Sequence, residues 1–152
     1  MENKTAEPGS EEILPPWLTA LDHTADAGIG VTANSLAELL ARAAWGMFSV
    51  IADVRAVQPR ETQPVIVEAA DTQALMVRWL SELNFRHITE HRLFCNFEVT
   101  HCTGNRLEAA VFGENIDPAR HTVFTEIKAV TFHGLRVEQT DGGWKAEIIF
   151  DL

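Results

Sequence analysis

Hydrophobic and polar residues alternate with a period of two at the end of the chain. Within residues 144–152, Trp144, Ala146, Ile148, Phe150 and Leu152 share one face, and Lys145, Glu147, Ile149 and Asp151 share the other. That is the pattern of a strand with one face in a core. Between Ser35 and Ala52 the period changes. Leu36, Leu39, Leu40, Ala43, Met47 and Ile51 recur at helical spacing, with Ala44 and Phe48 widening the stripe. Ser35-Leu-Ala-Glu38 is a capping box, so the spacing predicts a helix over about 36–52. A second helix, capped by Asp71 or Thr72, is predicted through about Glu90. Its apolar positions, Leu75, Met76, Trp79, Leu80 and Leu83, cover a face broad enough to be buried on more than one side. Glu82 is the most inward carboxylate of this helix, placed either for a paired network or for a site.

The remaining apolar runs read as strands. Short ones are expected from Trp17 to Leu21, Ala27 to Ala33 and Val65 to Ala69. Leu93 to Thr103 and Arg106 to Phe112 flank Gly104-Asn105, a two-residue hairpin signal. A long strand is expected from about Val123 to Val137, with Gly134 breaking its alternation as a bulge would. Thr140-Asp-Gly-Gly143 then turns the chain into the final strand. Residues 53–64 read as a loop or edge strand and 113–122 as a loop. Residues 1–16, acidic and proline-containing without any period, read as a disordered tail ahead of one domain over 17–152. Two helices among mostly hairpin-linked strands mean an α+β fold.

Composition narrows the function. A chain of 152 residues can bury roughly 70% of its unfolded surface in one domain. A net charge of -10 argues against tight direct contact with nucleic acid or an anionic membrane, either of which calls for a basic face. No apolar run reaches the ~20 residues of a membrane span, and no signal peptide pattern opens the chain. Cys95 and Cys102 form no C-x-x-C, so the reading is free thiols in a reducing cytoplasm.

Three motifs invite chemistry. Gly28-Ile-Gly30-Val-Thr-Ala33 has the spacing of a dinucleotide fingerprint, but its glycines fall within a strand and the helix opens after it. They are expected instead to allow a bulge or a close backbone approach. His87 and His91 stand at i and i+4, yet Ile88 occupies the place where a metalloprotease needs glutamate. Both are expected at a solvated helix end, where a protonated imidazole suits the dipole, with no catalytic role. The third motif joins two distant stretches. Asp151 and the carboxylate of the final residue, Leu152, are adjacent oxygen donors, half of a hard-cation site. Asp22-His23-Thr24-Ala25-Asp26 is a second acidic cluster near the other end. No nucleophile with a dedicated base is evident.

Taken together, these stretches resemble the archease family. The match consists of His23-Thr-Ala-Asp26, the run from Ala43 through Trp45 and Gly46 to Phe48, and Val77 through Trp79, Leu80 and Glu82 to Leu83. It continues with His121, then Glu126-Ile-Lys128 through His133 to Val137, and closes with Gly143 to Leu152. It runs from about Leu21 to Leu152 and omits only the tail. Phe132 departs from the tyrosine the family often has there.

The resemblance implies a mostly antiparallel sheet built from strand–helix–strand units with two helices on one face, plus a smaller inserted sheet. It implies a protein cofactor rather than an enzyme, one that assists an RtcB-type GTP-dependent RNA ligase in tRNA splicing or RNA repair. Such a cofactor promotes ligase guanylylation and multiple turnover. The family's cation site, usually described as calcium, carries over to Asp26, Asp151 and Leu152. These hard oxygen donors suit Ca²⁺ or Mg²⁺. Lys128 is expected near the same acidic edge, with a salt-bridged strand lysine as the plainer reading. His23 is expected in a supporting role beside the ligands. The alternative of another class is a small metal-dependent hydrolase whose carboxylate-bound cation activates water.

Overall fold

A computed structural model describes residues 14–22 and 26–152. The expectations for residues 1–13 and for His23 lie outside the described residues. The elements are β1 (Leu18–Asp22), β2 (Asp26–Ala33), α1 (Leu36–Ile51), β3 (Glu61–Glu68), α2 (Thr72–Glu90), β4 (Arg92–Cys102), β5 (Arg106–Asn115), β6 (Ala129–Val130), β7 (Arg136–Thr140) and β8 (Gly143–Asp151). They form a five-stranded sheet in the order β1-β2-β8-β6, with β7 also paired to β8, and a three-stranded sheet in the order β3-β5-β4. All of these pairings are antiparallel. The α+β architecture with a main and a smaller sheet is the one expected.

The helices hold the two sheets in one core. Ser35 caps α1 by accepting from the Glu38 amide, and Glu38 reaches back to the Asn34 amide, completing the box. Glycine at 46 brings α1 onto the main sheet. A Cβ there would lie 2.8 Å from Ile29 Cδ1 and 2.9 Å from Leu18 Cδ1. The other flank of α1 meets β4, where Phe48 stacks on Phe97 and meets Phe94 edge-on. Trp79 of α2 is fully buried and donates its indole N–H to Leu40 O at 2.8 Å, so the helices are joined without an unsatisfied donor.

Four local readings change. The long strand over 123–137 is interrupted: β6 has two residues and β7 five, and Val123 makes only an isolated bridge to Ala52. Side-chain pairing took over there, since Asn84 of α2 donates to the Ile127 carbonyl at 2.8 Å. Gly134 marks a turn rather than a bulge. It has a φ of 67°, and the Leu135 amide closes the turn on Phe132 O. β5 runs on to Asn115, into the stretch read as loop, while β3, beginning at Glu61 with Pro64 in an edge strand, takes the edge-strand reading of that stretch. His87 is buried rather than solvated, packed edge-on to Phe48 and bonded through Nδ1 to Arg92 O. His91 is exposed and leaves the helix in the left-handed conformation (φ 55°), at the solvated helix end expected for it.

Gly113 tests the small sheet. A Cβ at Gly113 would fall 1.9 Å from the Leu93 carbonyl oxygen, whereas one at Gly142 would meet nothing within 4 Å. Gly113→Ala should therefore cost about 3 kcal/mol or more through backbone displacement. Gly142→Ala should stay within about 0.5 kcal/mol of the parent. Urea midpoints of the two variants make the comparison.

Candidate metal centre and the buried carboxylate network

Asp26 opens β2 and Asp151 closes β8, and the register makes them direct partners. Residues directly opposite in an antiparallel pair project from the same face. The two carboxylates therefore share the side of the sheet turned away from the helices. Ala129 is the partner of Asp151 on its other flank, and the Lys128 amide donates to Asp151 O at 2.8 Å. Asp151 is thus held on both sides by backbone pairing.

The same face carries Ile149, buried but outside the main core cluster. The Gly134 turn covers it: a Cβ at Gly134 would come 3.1 Å from Ile149 Cγ1. Gly28 lies beneath, where a Cβ would be 2.9 Å from Ile149 Cδ1 and 3.2 Å from Ile148 O. Of the two glycines of the rejected fingerprint, Gly28 serves close packing, whereas a Cβ at Gly30 would meet nothing nearer than 3.8 Å. Between this turn and the strand ends lies a cavity of about 250 Å³, lined by Asp26, Thr131, His133, Ile149 and Asp151.

Of the residues anticipated at the site, all but His23 lie among the described residues. Asp26 and Asp151 come together. Leu152 follows Asp151 and packs its side chain partly against the core. Lys128 is exposed, and continuing the β6–β8 register by one residue sets it across from Leu152. Glu82 takes the paired alternative. It accepts from Arg86 at 2.7 Å, and Arg86 also donates to Gln63 Oε1 and Pro64 O, so Glu82 serves the α2–β3 contact. Thr131 and His133 reach the cavity although neither was singled out as a site residue. The signal that could have found them is the Gly134 turn, which folds their segment over the strand end.

Chemically, the cavity offers two side-chain carboxylates on adjacent strands. Among the described residues no three His, Cys, Asp or Glu side chains stand close enough together to hold a metal ion. Of further donors, the Thr131 hydroxyl lines the cavity and Leu152 is not among its lining residues; carbonyls and water would complete a shell. Such a set of hard oxygens fits a cation of the Ca²⁺ or Mg²⁺ type, which retains water in its shell. Two like charges directly opposite also disfavour the pairing that brings them together, and a bound dication removes that cost.

These features coincide with a family. Residues 19–152 match the Archease protein family (MTH1598/TM1083). The chain belongs to the archease family. It is 41% identical over 140 residues to the archease of Methanopyrus kandleri, an alignment covering 90% of this chain and 99% of that one. The archease of Pyrococcus abyssi is 36% identical over 135 residues, covering 86% and 95% of the two chains. The solution structure of Methanobacterium thermoautotrophicum protein 1598 shares the fold with a TM-score of 0.74 and 34% identity, over 90% of this chain and 99% of that one. No described helix of this archease-family chain is long and apolar enough to cross a membrane.

A second cluster of titratable groups lies within the fold. Glu114, 4% exposed, accepts from Arg120 Nη2 at 2.7 Å, the Gln58 amide at 2.8 Å and His121 Nε2 at 2.9 Å. His121 Nδ1 accepts from the Asp117 amide at 2.8 Å, so the proton resides on Nε2 and is donated to Glu114. Both ring nitrogens are thereby used, and the network closes the 116–121 loop over β5. No periodicity reported it, because the segment reads simply as polar loop.

The arginine bonds from Arg120 outweigh burial, and with those from Gln58 and His121 they hold the Glu114 carboxyl down at about 2. An unfolded glutamate titrates near ~4.3. With the folded value depressed, the stabilisation is complete above the unfolded value and lost as pH falls through about 2. Glu114→Gln should lower stability at neutral pH and flatten its decline over the acid range. Urea midpoints measured from pH 7 down to the acid limit would show a shallower slope than the parent's.

Proposed function

We propose that this chain is a metal-binding protein cofactor that activates an RtcB-type GTP-dependent RNA ligase, promoting its guanylylation and repeated turnover in tRNA splicing or RNA repair. The observation that carries the reading is the register pairing of Asp26 with Asp151 in an archease-family chain. Asp26, Asp151 and the Leu152 carboxylate hold the cation, calcium or magnesium, and Thr131 lies at the same cavity. When bound, the cation neutralises the aspartates and offers coordination positions to an anionic group of the partner. The chain's own residues supply the rest. Backbone pairing from both flanks fixes Asp151, and Asp26 is fixed at the mouth of β2, whereas Lys128, one residue out of step with Asp151, does not line the cavity and acts only through its amide bond to the Asp151 carbonyl. The net charge of -10 suits work through a protein partner in the cytoplasm rather than tight independent hold on RNA.

Asp26→Ala removes a half-exposed side chain at a strand end, so little packing is lost. The variant should melt within a few degrees of the parent without metal, and lose both the calcium-induced rise in melting temperature and ligase stimulation. Undiminished stimulation of ligase guanylylation would remove Asp26 from the working site. A few residues appended after Leu152 turn its carboxylate into an amide and crowd the cation, so the calcium-induced shift should shrink. Equal shifts in extended and parent protein would show that this carboxylate is no ligand.

A metal-dependent hydrolase gains one observation, since His133 lines the same cavity and could serve as base. Incubation with Ca²⁺, Mg²⁺ or Mn²⁺ and an activated phosphodiester should give no turnover. Turnover lost in both Asp26→Ala and His133→Ala would establish that activity instead.

A further inference from the structure

The far end of β8 carries a different chemistry. Arg42 of α1 forms a wall common to two cavities. One, of about 160 Å³, is lined by Trp17, Trp45, Asn96 and Phe97 among others. The other, of about 260 Å³, brings Arg42 together with Asn34, Thr140, Trp144 and Lys145. The first is aromatic and the second cationic and polar. Trp17 and Trp45 meet edge to face with centroids 5.6 Å apart, and Arg42 lies 5.0 Å from the Trp17 ring. A second guanidinium, Arg55, lies 5.6 Å from the Trp45 ring.

Cations interleaved with aromatic rings are what recognise a flat base carrying a phosphate: rings supply stacking surface and guanidinium supplies charge. No contiguous stretch of sequence contains this cluster. Trp17 comes from the approach to β1, Arg42 and Trp45 from α1, and Asn96 from β4. Arg42 donates Nη1 to Thr32 O at 3.0 Å and places Nη2 3.5 Å from Glu38. Those two contacts orient the fork and leave further N–H groups, of the five that a guanidinium has, directed elsewhere. Asn96 uses its Oδ1 to accept from the Phe97 amide, so its amino group remains as a donor for the acceptor edge of a base.

We propose that the two cavities meeting at Arg42 form one nucleotide site, with the base against Trp17 and Trp45 and the phosphate between Arg42 and Lys145. This goes beyond ligase activation and is independent of the cation. Lys145 and Asp151 stand at opposite ends of β8, about 20 Å apart at strand rise. The nucleotide can be free or part of an unpaired RNA strand, and both present the same base and phosphate. The overall negative charge keeps the affinity for a single nucleotide weak, in the millimolar range of dissociation constants.

Guanosine monophosphate is the probe, titrated into ¹⁵N-labelled full-length protein and followed by NMR. The indole N–H signals of Trp17 and Trp45 and the amides of Gly142 and Gly143 should move, while that of buried Trp79 should not. Guanosine should move only the two indoles, and ribose 5-phosphate only the glycine amides. Lys145→Ala, at an exposed position, should weaken the monophosphate about tenfold and leave guanosine unchanged. Arg42→Lys keeps the charge but loses the planar fork, and should weaken both. Parallel titrations with GTP and a short single-stranded RNA assign the source by whichever binds more tightly at the same reporters. Still indoles at millimolar monophosphate, or equal affinity in Lys145→Ala, would overturn the site. Neither result would touch the cation reading, which stands or falls on the calcium shift and on Asp26.

Discussion

The structure depends on the two-sided pairing of β8. Every residue of β2 has a partner in β8, from Ala33 with Trp144 to Asp26 with Asp151. The other edge of β8 is shared in succession by β7 near its start and β6 near its end. One strand therefore fixes the relative positions of three others. Because side-chain direction alternates, its register also decides which residues enter the core. Ala146, Ile148 and Phe150 are fully buried among the helices, and Ile149 and Asp151 go to the opposite face. A slip of one residue would exchange the two sets, exposing a phenylalanine and burying an aspartate. The apolar face is what makes such a slip prohibitive, and the position of the acidic pair follows from it.

The legible parts of this fold were those governed by local periodicity. The helices announced themselves through apolar spacing and caps at Ser35 and Asp71, and β8 through its alternation. The hairpin of β4 and β5 followed from Gly104-Asn105. What could not be read were segments whose backbone is satisfied by distant groups. The stretch from Val123 to Val137 has strand-like composition, but Asn84 and the Ile51 carbonyl take up its hydrogen bonds at separated points. His87 looked like a solvated helix end because its partner, the Arg92 carbonyl, belongs to the next strand.

The candidate site divides along the same line. Asp26 and Asp151 stood out as acidic residues at the ends of readable strands, and family likeness joined them. Thr131 and His133 reach the cavity only through the turn at Gly134, whose geometry no periodicity encodes. The Glu114 network was silent for a related reason: a carboxylate in a polar loop looks alike whether it meets water or an arginine. The archease relatives extend over nearly the whole chain, so family membership and fold rest on the entire sequence rather than on one motif.

The central place of β8 has a bearing on assembly. A ribosome delivers β2, β6 and β7 before the strand that belongs between them, so each presents an unpaired edge in the interval. The main sheet cannot zip from one side outwards; its middle is filled last. Contacts so remote along the chain are slow to form, and open edges invite other chains meanwhile. The acidic pair comes into being only when that final insertion is complete, since one aspartate arrives with the inserted strand. Whatever those two carboxylates meet, they meet it only in molecules whose β8 has already taken its place beside β2.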